Sequence, residues 1–156
     1  GVSAGLAHHY FGNKNQLLIA TMRHLLSDLG DEIQQRLTKA ETAHERIRAI
    51  VEGNFSACQF RPAVISAWLA FYVEAQTDAE ARRLLRVYQR RLESNLLHAL
   101  QELVDRERAT EIAEMAAALI DGVWIRRSLA GEAPDPQSAV ALVEAAIFAA
   151  VSRNHA

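Results

Sequence analysis

The sequence predicts an all-α fold, and three observations support this prediction. Only three prolines and seven glycines interrupt the 156 residues, and they fall where the helical periodicity breaks. Between them, apolar residues recur at steps of three and four, which is the spacing of one face of an α-helix. Half of the residues are hydrophobic and 23% are charged, which is typical of a globular protein. We therefore expect helices throughout and no strands.

The first segment predicts a short helix, a turn and then a long helix. Ser3 is a suitable N-cap for a helix that ends near Tyr10, and Gly12 and Asn13 are expected to stop that helix. A long helix is predicted from Lys14. The apolar positions that keep to one of its faces are Leu17, Leu18, Met22, Leu25, Leu29, Ile33 and Leu37.

A capping box marks the start of the next helix. Thr42 and Glu45 stand three residues apart, as a side-chain cap and its reciprocal partner do. This helix is expected to end before Arg61. The positions that mark its buried side are Ile47, Ile50, Val51, Asn54 and Phe55.

Two further helices follow a proline and a second cap. Pro62 suits the first turn of a helix that runs to about Gln76. Thr77 or Asp78 then caps a long helix that runs to about Asp105. The inner face of that long helix is expected to consist of Leu85, Tyr88, Leu92, Leu96, Leu100 and Leu103.

The last two helices are apolar almost all round. Residues 112–125 and 139–151 carry small and branched apolar side chains on most of their surface. Such helices are normally buried on every side, and one chain of this size has little surface left to cover them. We therefore predict a symmetric homodimer whose interface is a four-helix bundle, with two helices from each chain. The alternative is a monomeric bundle with a central apolar pair.

Composition and motifs exclude several classes of function. The longest apolar run, residues 139–151, contains a Glu and is shorter than the roughly 20 residues of a membrane span. Cys58 is the only cysteine, which favours a reducing cytoplasm. The adjacent His8 and His9 point to different sides of a helix and cannot chelate one metal ion together. No nucleophile, phosphate-loop or cofactor signature is present, so we expect no enzyme, no cofactor and no metal site.

The opening residues carry a recognisable family pattern. Val2, Ser3, Gly5, Tyr10, Phe11, Lys14, Leu17 and Leu18 match V-S-x-G-x-x-x-x-Y-F-x-x-K-x-x-L-L. This pattern resembles the end of the helix-turn-helix of TetR-family repressors. The resemblance implies a DNA-binding remnant at residues 1–35 and a ligand-binding and dimerisation domain at residues 36–156. Because the family pattern begins roughly forty residues earlier, we expect this chain to lack two helices and to bind DNA poorly.

The same segment has the small and polar residues that suit a helix in the DNA major groove. Composition alone favours a packed N-terminal turn, and the resemblance favours contact with operator DNA. A net charge of −2 weighs little against DNA binding, because the preceding segment is expected to carry much of the basic charge. The candidate DNA-binding residues are Ser3, Ala4, Gly5, His8, His9, Tyr10 and Lys14.

Four later motifs resemble one branch of this family. Residues 50–55, 67–71, 90–96 and 118–126 are similar to the choline-responsive repressors of glycine betaine synthesis. The resemblance implies repression of genes for choline uptake and oxidation, with choline as the inducer that releases the operator. Two alternatives stay open. One is a TetR-type repressor for another cationic or hydrophobic ligand, and the other is a helical dimerisation module without a ligand.

Clustered aromatic residues supply a candidate inducer site. Trp68 shares a helix face with Phe71 and Tyr72, and Asp121 and Trp124 pair at the same spacing on a later helix. Choline carries a permanent positive charge without N–H donors, so aromatic faces and a nearby anion bind it. These five residues build such a cage if the two helices face each other. Otherwise the aromatic residues are core anchors, and Asp121 bonds a neighbouring Arg, Ser or helix end.

Overall fold

Six α-helices and one short 3-10 helix make up the computed structural model, which describes residues 4–130 and 135–153, with side chains from residue 13 onward. In chain order they are α1 (Ala4–Leu37), α2 (Ala43–Asn54), the 3-10 helix (Ala57–Phe60), α3 (Pro62–Glu74), α4 (Ala79–Leu100), α5 (Arg106–Ser128) and α6 (Pro136–Ser152). No strand occurs within the described ranges. The prediction of an all-α fold is therefore confirmed.

The helix starts follow the capping signals of the sequence. The Thr42 hydroxyl accepts from the Glu45 backbone N–H at 3.2 Å, and the Glu45 carboxylate accepts from the Thr42 N–H at 3.0 Å. Asp78 caps α4 by accepting from the Ala81 N–H at 2.8 Å. Pro62 occupies the first turn of α3, where its missing N–H costs no hydrogen bond. These starts were predicted from the sequence.

We expect the exchange Thr42→Ala to lower the free energy of unfolding by about 1 kcal/mol, because the first turn of α2 loses its side-chain acceptor. Urea unfolding followed by circular dichroism measures this loss. The matched control is Thr21→Ala in the middle of α1, where the exposed hydroxyl bonds only the Leu17 carbonyl. The control is expected to leave stability unchanged or slightly higher, and equal losses in both variants would contradict the capping assignment.

Helix α1 differs from the predicted short helix and turn. Its backbone is helical without interruption from Ala4 to Leu37, so neither Gly12 nor Asn13 stops it. The prediction gave too much weight to these two residues. Each costs about 1 kcal/mol or less in a helix interior, whereas continuing an existing helix adds a backbone hydrogen bond at every residue. The proposed cap Ser3 lies outside the described residues.

One prediction of burial and one prediction of a helix end were also wrong. Leu17 was assigned to the buried face of α1, but it is 69% exposed, and Ile19 is buried instead. Leu17 stands five residues before the buried Met22, which is about 140° around the helix. Helix α4 ends at Leu100 rather than near Asp105, because the Asp105 side chain accepts from the Arg108 N–H and starts α5.

Helix α2 lies at the centre of the bundle, in contact with α1, α4 and α6. Its buried side includes Ile47, Ile50, Val51 and Asn54, as predicted. Gly53 permits the close approach of α1, since a Cβ atom there would lie 2.5 Å from the Cγ1 atom of Ile33. This close packing brings the C-terminal end of α2, with the buried Asn54, next to α1.

Helices α5 and α6 pack together but leave an apolar face uncovered in the single chain. This face runs along one side of each helix, and we call it the C-terminal apolar face. Its exposed or half-buried members are Met115, Ala118, Gly122, Ile125, Leu129, Leu142, Ala145 and Ala149. Leu129 and Leu142 are more than half exposed. The single chain therefore does not bury these two helices on every side.

Candidate functional site

An aromatic cavity lies where α2, α3, α4 and α5 meet near the 3-10 helix. It is nearly filled by its own side chains and leaves about 20 Å³, roughly the space of one water molecule. Its lining consists of Leu29, Asn54, Gln59, Trp68, Tyr72, Tyr88, Ile120, Asp121 and Trp124. We call this space the cage. Asp121 is the one charged side chain in the lining.

Trp68 is the centre of the aromatic wall. The centroid of its ring lies 5.1 Å from that of Tyr88 and 5.7 Å from that of Tyr72. The Trp124 ring lies 6.1 Å away at an interplanar angle of 58°. Rings set at such angles present several π faces and edges to one small volume. A cation without N–H donors binds to such faces through the ring quadrupoles.

The Asp121 carboxylate is the electrostatic centre of the cage. Burial raises its pKa from 3.8 to about 6, the hydrogen bond from Tyr88 opposes this shift, and the negative charge of Glu93 adds to it. Within the described residues, none of the ion pairs includes Asp121. The ionised carboxylate is therefore half-buried without a cationic partner, which is an unfavourable state that a bound cation relieves.

A single phenol proton connects Asp121 to α2. The Tyr88 hydroxyl lies 3.1 Å from Oδ1 of Asp121 and 3.3 Å from Oδ1 of Asn54. Burial, and next the negative charge of Asp121, raise the pKa of Tyr88, so this hydroxyl stays protonated. One O–H cannot satisfy two acceptors fully. The ionised carboxylate is the stronger acceptor and takes the larger share of this hydrogen bond.

Two polar contacts orient the remaining walls. The indole N–H of Trp124 donates to the Gln59 backbone carbonyl at 3.3 Å, which fixes the ring of a buried residue. The Asn54 amide donates to the Ile50 carbonyl at 2.8 Å and thereby turns its oxygen towards Tyr88. Burial, and next the charge of Asp121, raise the pKa of Tyr72, so this phenol is also neutral. The cage therefore has one negative charge and several neutral acceptors.

The structure brings four of the five candidate ligand residues to one cavity. Trp68, Tyr72, Asp121 and Trp124 all line the cage. Phe71 does not, because it is fully buried on the other side of Trp68, with ring centroids 6.1 Å apart. The alternative made both Trp core anchors and gave Asp121 an Arg, Ser or helix end as its partner. Trp68 and Trp124 are indeed buried in the core, but the described partner of Asp121 is the Tyr88 hydroxyl.

The candidate DNA-binding residues lie mostly outside the described side chains. Ser3 is not described, and Ala4, Gly5, His8, His9 and Tyr10 are described only as helical backbone of α1. Lys14 is exposed one turn further along the same helix. Its ammonium group is thus open to solvent.

Sequence comparison identifies the family. A model described as the C-terminal part of BetI-type transcriptional repressors matches residues 43–151. An HTH-type transcriptional regulator BetI from Brucella anthropi is 56% identical over 144 residues, which are 92% of this chain and 74% of the relative. The regulator of the same name from Rhizobium meliloti is 49% identical over 99% of this chain and 76% of the relative. The chain belongs to the BetI-type transcriptional repressors.

Solved structures show the fold of this BetI-type chain in more distant proteins. A transcriptional regulator from Pseudomonas aeruginosa PAO1 has a TM-score of 0.78 at 23% identity and covers 97% of this chain and 76% of its own. A transcriptional regulator from Saccharomonospora viridis, solved in complex with choline, has a TM-score of 0.70 at 21% identity. That alignment covers 95% of this chain and 80% of the other. The relatives are named as transcriptional regulators rather than enzymes, as the sequence predicts.

Five lining residues of this BetI-type cage were not predicted as site residues, and three of them, Asn54, Gln59 and Tyr88, have polar side chains. Tyr88 was assigned to the inner face of α4 as a core residue, and Asn54 only to the buried side of α2. Gln59 belongs to a 3-10 helix that the sequence analysis did not predict. A buried Asn among apolar positions was the signal that could have found this contact, because it requires a hydrogen-bonding partner.

The described part of the chain has neither a metal-binding cluster nor a membrane-spanning helix. No group of three or more His, Cys, Asp and Glu side chains there is arranged to hold a metal ion. Among the described helices, none combines the length and the apolar character that crossing a bilayer requires.

Proposed function

We propose that the protein is a repressor of genes for choline uptake and glycine betaine synthesis, and that choline bound in the cage releases it from its operator. One observation carries this proposal. Asp121 is a half-buried carboxylate without a cationic partner among the described residues, and it lies in a narrow cavity lined by Trp68, Tyr72, Tyr88 and Trp124, whose rings must move apart to admit a ligand. A small quaternary ammonium ion supplies the missing positive charge and presents methyl groups to the rings.

The charge of the lining favours choline over its oxidation product. Glycine betaine carries the same trimethylammonium group together with a carboxylate. No Lys, Arg or His belongs to the described lining, so that carboxylate would meet Asp121 and neutral acceptors. The choline hydroxyl, by contrast, donates a hydrogen bond to acceptors such as the Asn54 amide oxygen. This chemistry supports an alcohol as the inducer.

Thermal unfolding with a set of related ligands tests the proposal. Choline at about a hundredfold excess over its dissociation constant is expected to stabilise the folded chain by about 2.7 kcal/mol, or roughly 5–10 °C. Glycine betaine and the neutral carbon analogue of choline, in which a carbon atom replaces the nitrogen, are the controls. Neither control is expected to shift the transition. Stabilisation by another cation but not by choline would favour a repressor with a different cationic inducer.

A pair of variants separates ligand contact from core packing. We expect Trp68→Leu to weaken choline binding about tenfold, because the central ring face of the cage is lost. The control is Phe71→Leu, which removes a buried ring of the same cluster that does not line the cage. Both variants lose stability, but only the first is expected to lose affinity in isothermal titration calorimetry. Equal affinities in the two variants would contradict the assignment of Trp68.

We further propose that two copies pair through the C-terminal apolar face. TetR-type regulators bind DNA and dimerise. The pairing of α5 and α6 with their symmetry mates covers an otherwise exposed apolar surface and fixes the distance between the two DNA-binding ends. Residues 1–35 then belong to the DNA-binding part, and residues 36–156 form the ligand-binding and dimerisation domain. The protein acts in the cytoplasm, where the operator lies.

A further inference from the structure

A second and larger space lies directly behind the cage, between α1 and α4. It is a groove of about 260 Å³. Its apolar floor consists of Leu26, Leu29, Ile33, Leu84, Val87 and Leu92, and Arg23 and Arg91 are among its polar lining residues. Val87 is 40% exposed, so solvent reaches this floor. The proposed choline site makes no use of the groove.

The groove and the cage share one wall. Leu29, Asn54 and Tyr88 line both spaces, so the two are separated by the thickness of these side chains. The Tyr88 ring stays in this wall through its hydroxyl contacts with Asp121 and Asn54. A cation that approaches Asp121 competes with Tyr88 for the carboxylate. Occupation of the cage therefore weakens one of the two hydrogen bonds that hold this wall in place.

Gly30 keeps part of the groove empty. It lines the groove from α1, and a Cβ atom added there would have no neighbour within 4 Å. A glycine in the middle of a helix costs about 1 kcal/mol relative to Ala, and no packing contact at Gly30 requires it. An alanine at this position therefore meets no neighbour, and a larger side chain extends into the groove.

We infer that the cage and the groove join into one binding channel when the Tyr88 side chain moves aside, and that this channel accepts quaternary ammonium ions that carry a linear alkyl chain. The inference rests on the proposed cation site in the cage and extends its ligand class. The trimethylammonium head lies beside Asp121, and the chain passes Tyr88 onto the apolar floor. From Tyr88 to Leu84 or Leu92 is four residues of helix, or about 6 Å, which suits a chain of roughly four to six carbons.

A series of alkyltrimethylammonium ions tests the channel. Calorimetric titration of the 156-residue chain with the tetramethyl, ethyl, butyl, hexyl and octyl members measures affinity as a function of chain length. We expect affinity to rise about twofold to fourfold for each methylene and to level off near six carbons, where the floor ends. An affinity that does not depend on alkyl length would overturn the inference, because the alkyl chain would then lie in solvent.

Two substitutions at Gly30 locate the chain in the groove. Gly30→Leu fills the open space and is expected to reduce the affinity for the hexyl ion at least tenfold, with choline binding unchanged. The matched control Gly30→Ala adds one methyl group and is expected to keep most of the length dependence. If Gly30→Leu lowers hexyl and choline affinity equally, or neither, the groove is not the chain site.

Choline and the tetramethyl ion distinguish the two possible failures. If both bind but longer chains gain nothing, the channel is excluded and the proposed function stands. If no cation in the series binds, the proposed function and the channel are excluded together.

Discussion

Asp121→Asn is expected to weaken choline binding by about 30-fold. The substitution keeps the size of the side chain and an acceptor for the Tyr88 hydroxyl, but it removes the one negative charge of the lining. Loss of one partner of a desolvated charge pair costs about 2–5 kcal/mol. For choline we expect a cost at the lower end of this range, because its nitrogen donates no hydrogen bond. Isothermal titration calorimetry at pH 7.5 measures the change.

The pH dependence of the wild-type protein provides a second measurement of the same charge. The pKa of Asp121 is raised to about 6, so the carboxyl takes up a proton as the pH falls through that value. Choline affinity is therefore expected to fall about tenfold between pH 7.5 and pH 5. The Asp121→Asn variant has no such proton to bind, and its residual affinity is expected to be the same at both pH values.

Stability responds to this charge in the opposite direction. Because the pKa of Asp121 in the folded chain lies above its ordinary value of 3.8, the folded state binds this proton more tightly than the unfolded state. The contribution of Asp121 to stability is thus largest in acid and declines as the pH rises from about 4 to 6. At pH 7.5, ligand-free Asp121→Asn is expected to melt at a higher temperature than the wild type.

Glu93 supplies the matched control for these measurements. It is an exposed carboxylate whose negative charge raises the pKa of Asp121 without lining the cage. Glu93→Gln removes one negative charge, as Asp121→Asn does, and is expected to change choline affinity less than twofold. Equal losses in the two variants would show that overall charge, rather than contact in the cage, attracts the ligand.

A second large effect is expected from Ala118→Arg on the C-terminal apolar face. Ala118 is exposed on α5 between Met115 and Gly122. In a symmetric interface each substitution occurs twice, so two arginines would be desolvated in the interface, at a cost of several kcal/mol. Sedimentation at micromolar concentration is expected to show a dimer for the wild type and a monomer for the variant.

The control for this prediction is Ala70→Arg, an exposed alanine on α3 outside the C-terminal apolar face. It adds the same charge to a helix surface and is expected to remain a dimer. A wild-type chain that sediments as a monomer at the same concentration would exclude the proposed interface. The residual monomeric bundle would then have to tolerate Leu129 and Leu142 in solvent.

Local signals predicted most of the fold, because they act over a few residues. Caps such as Thr42 and Asp78 and the proline at the start of α3 set the helix starts correctly. The prediction of a turn at Gly12 was wrong, because the local preference of this residue is weak. A weak local preference does not end a helix when each additional residue gains a hydrogen bond.

In the candidate site, too, the contacts within one helix were predicted and the contacts between helices were not. Trp68 and Tyr72, and Asp121 and Trp124, are neighbours on their own helices, so their spacing in the sequence was sufficient to pair them. Tyr88 contacts Asn54 and Asp121, which lie 34 and 33 residues away along the chain. Contacts of this kind arise from the packing of α2, α4 and α5. A helical periodicity assigns such a tyrosine to the core but does not identify its partners.

The unbroken course of α1 has a mechanical consequence. Leu29 forms part of the cage wall, and the helix continues as a single rod to Ala4, 25 positions away and about 38 Å distant. A tilt of about 5° at Leu29 displaces the far end by about 3 Å, roughly the height of one base pair. A displacement too small to disturb the packing around Leu29 is thus amplified at the other end into a shift comparable to one step of a double helix.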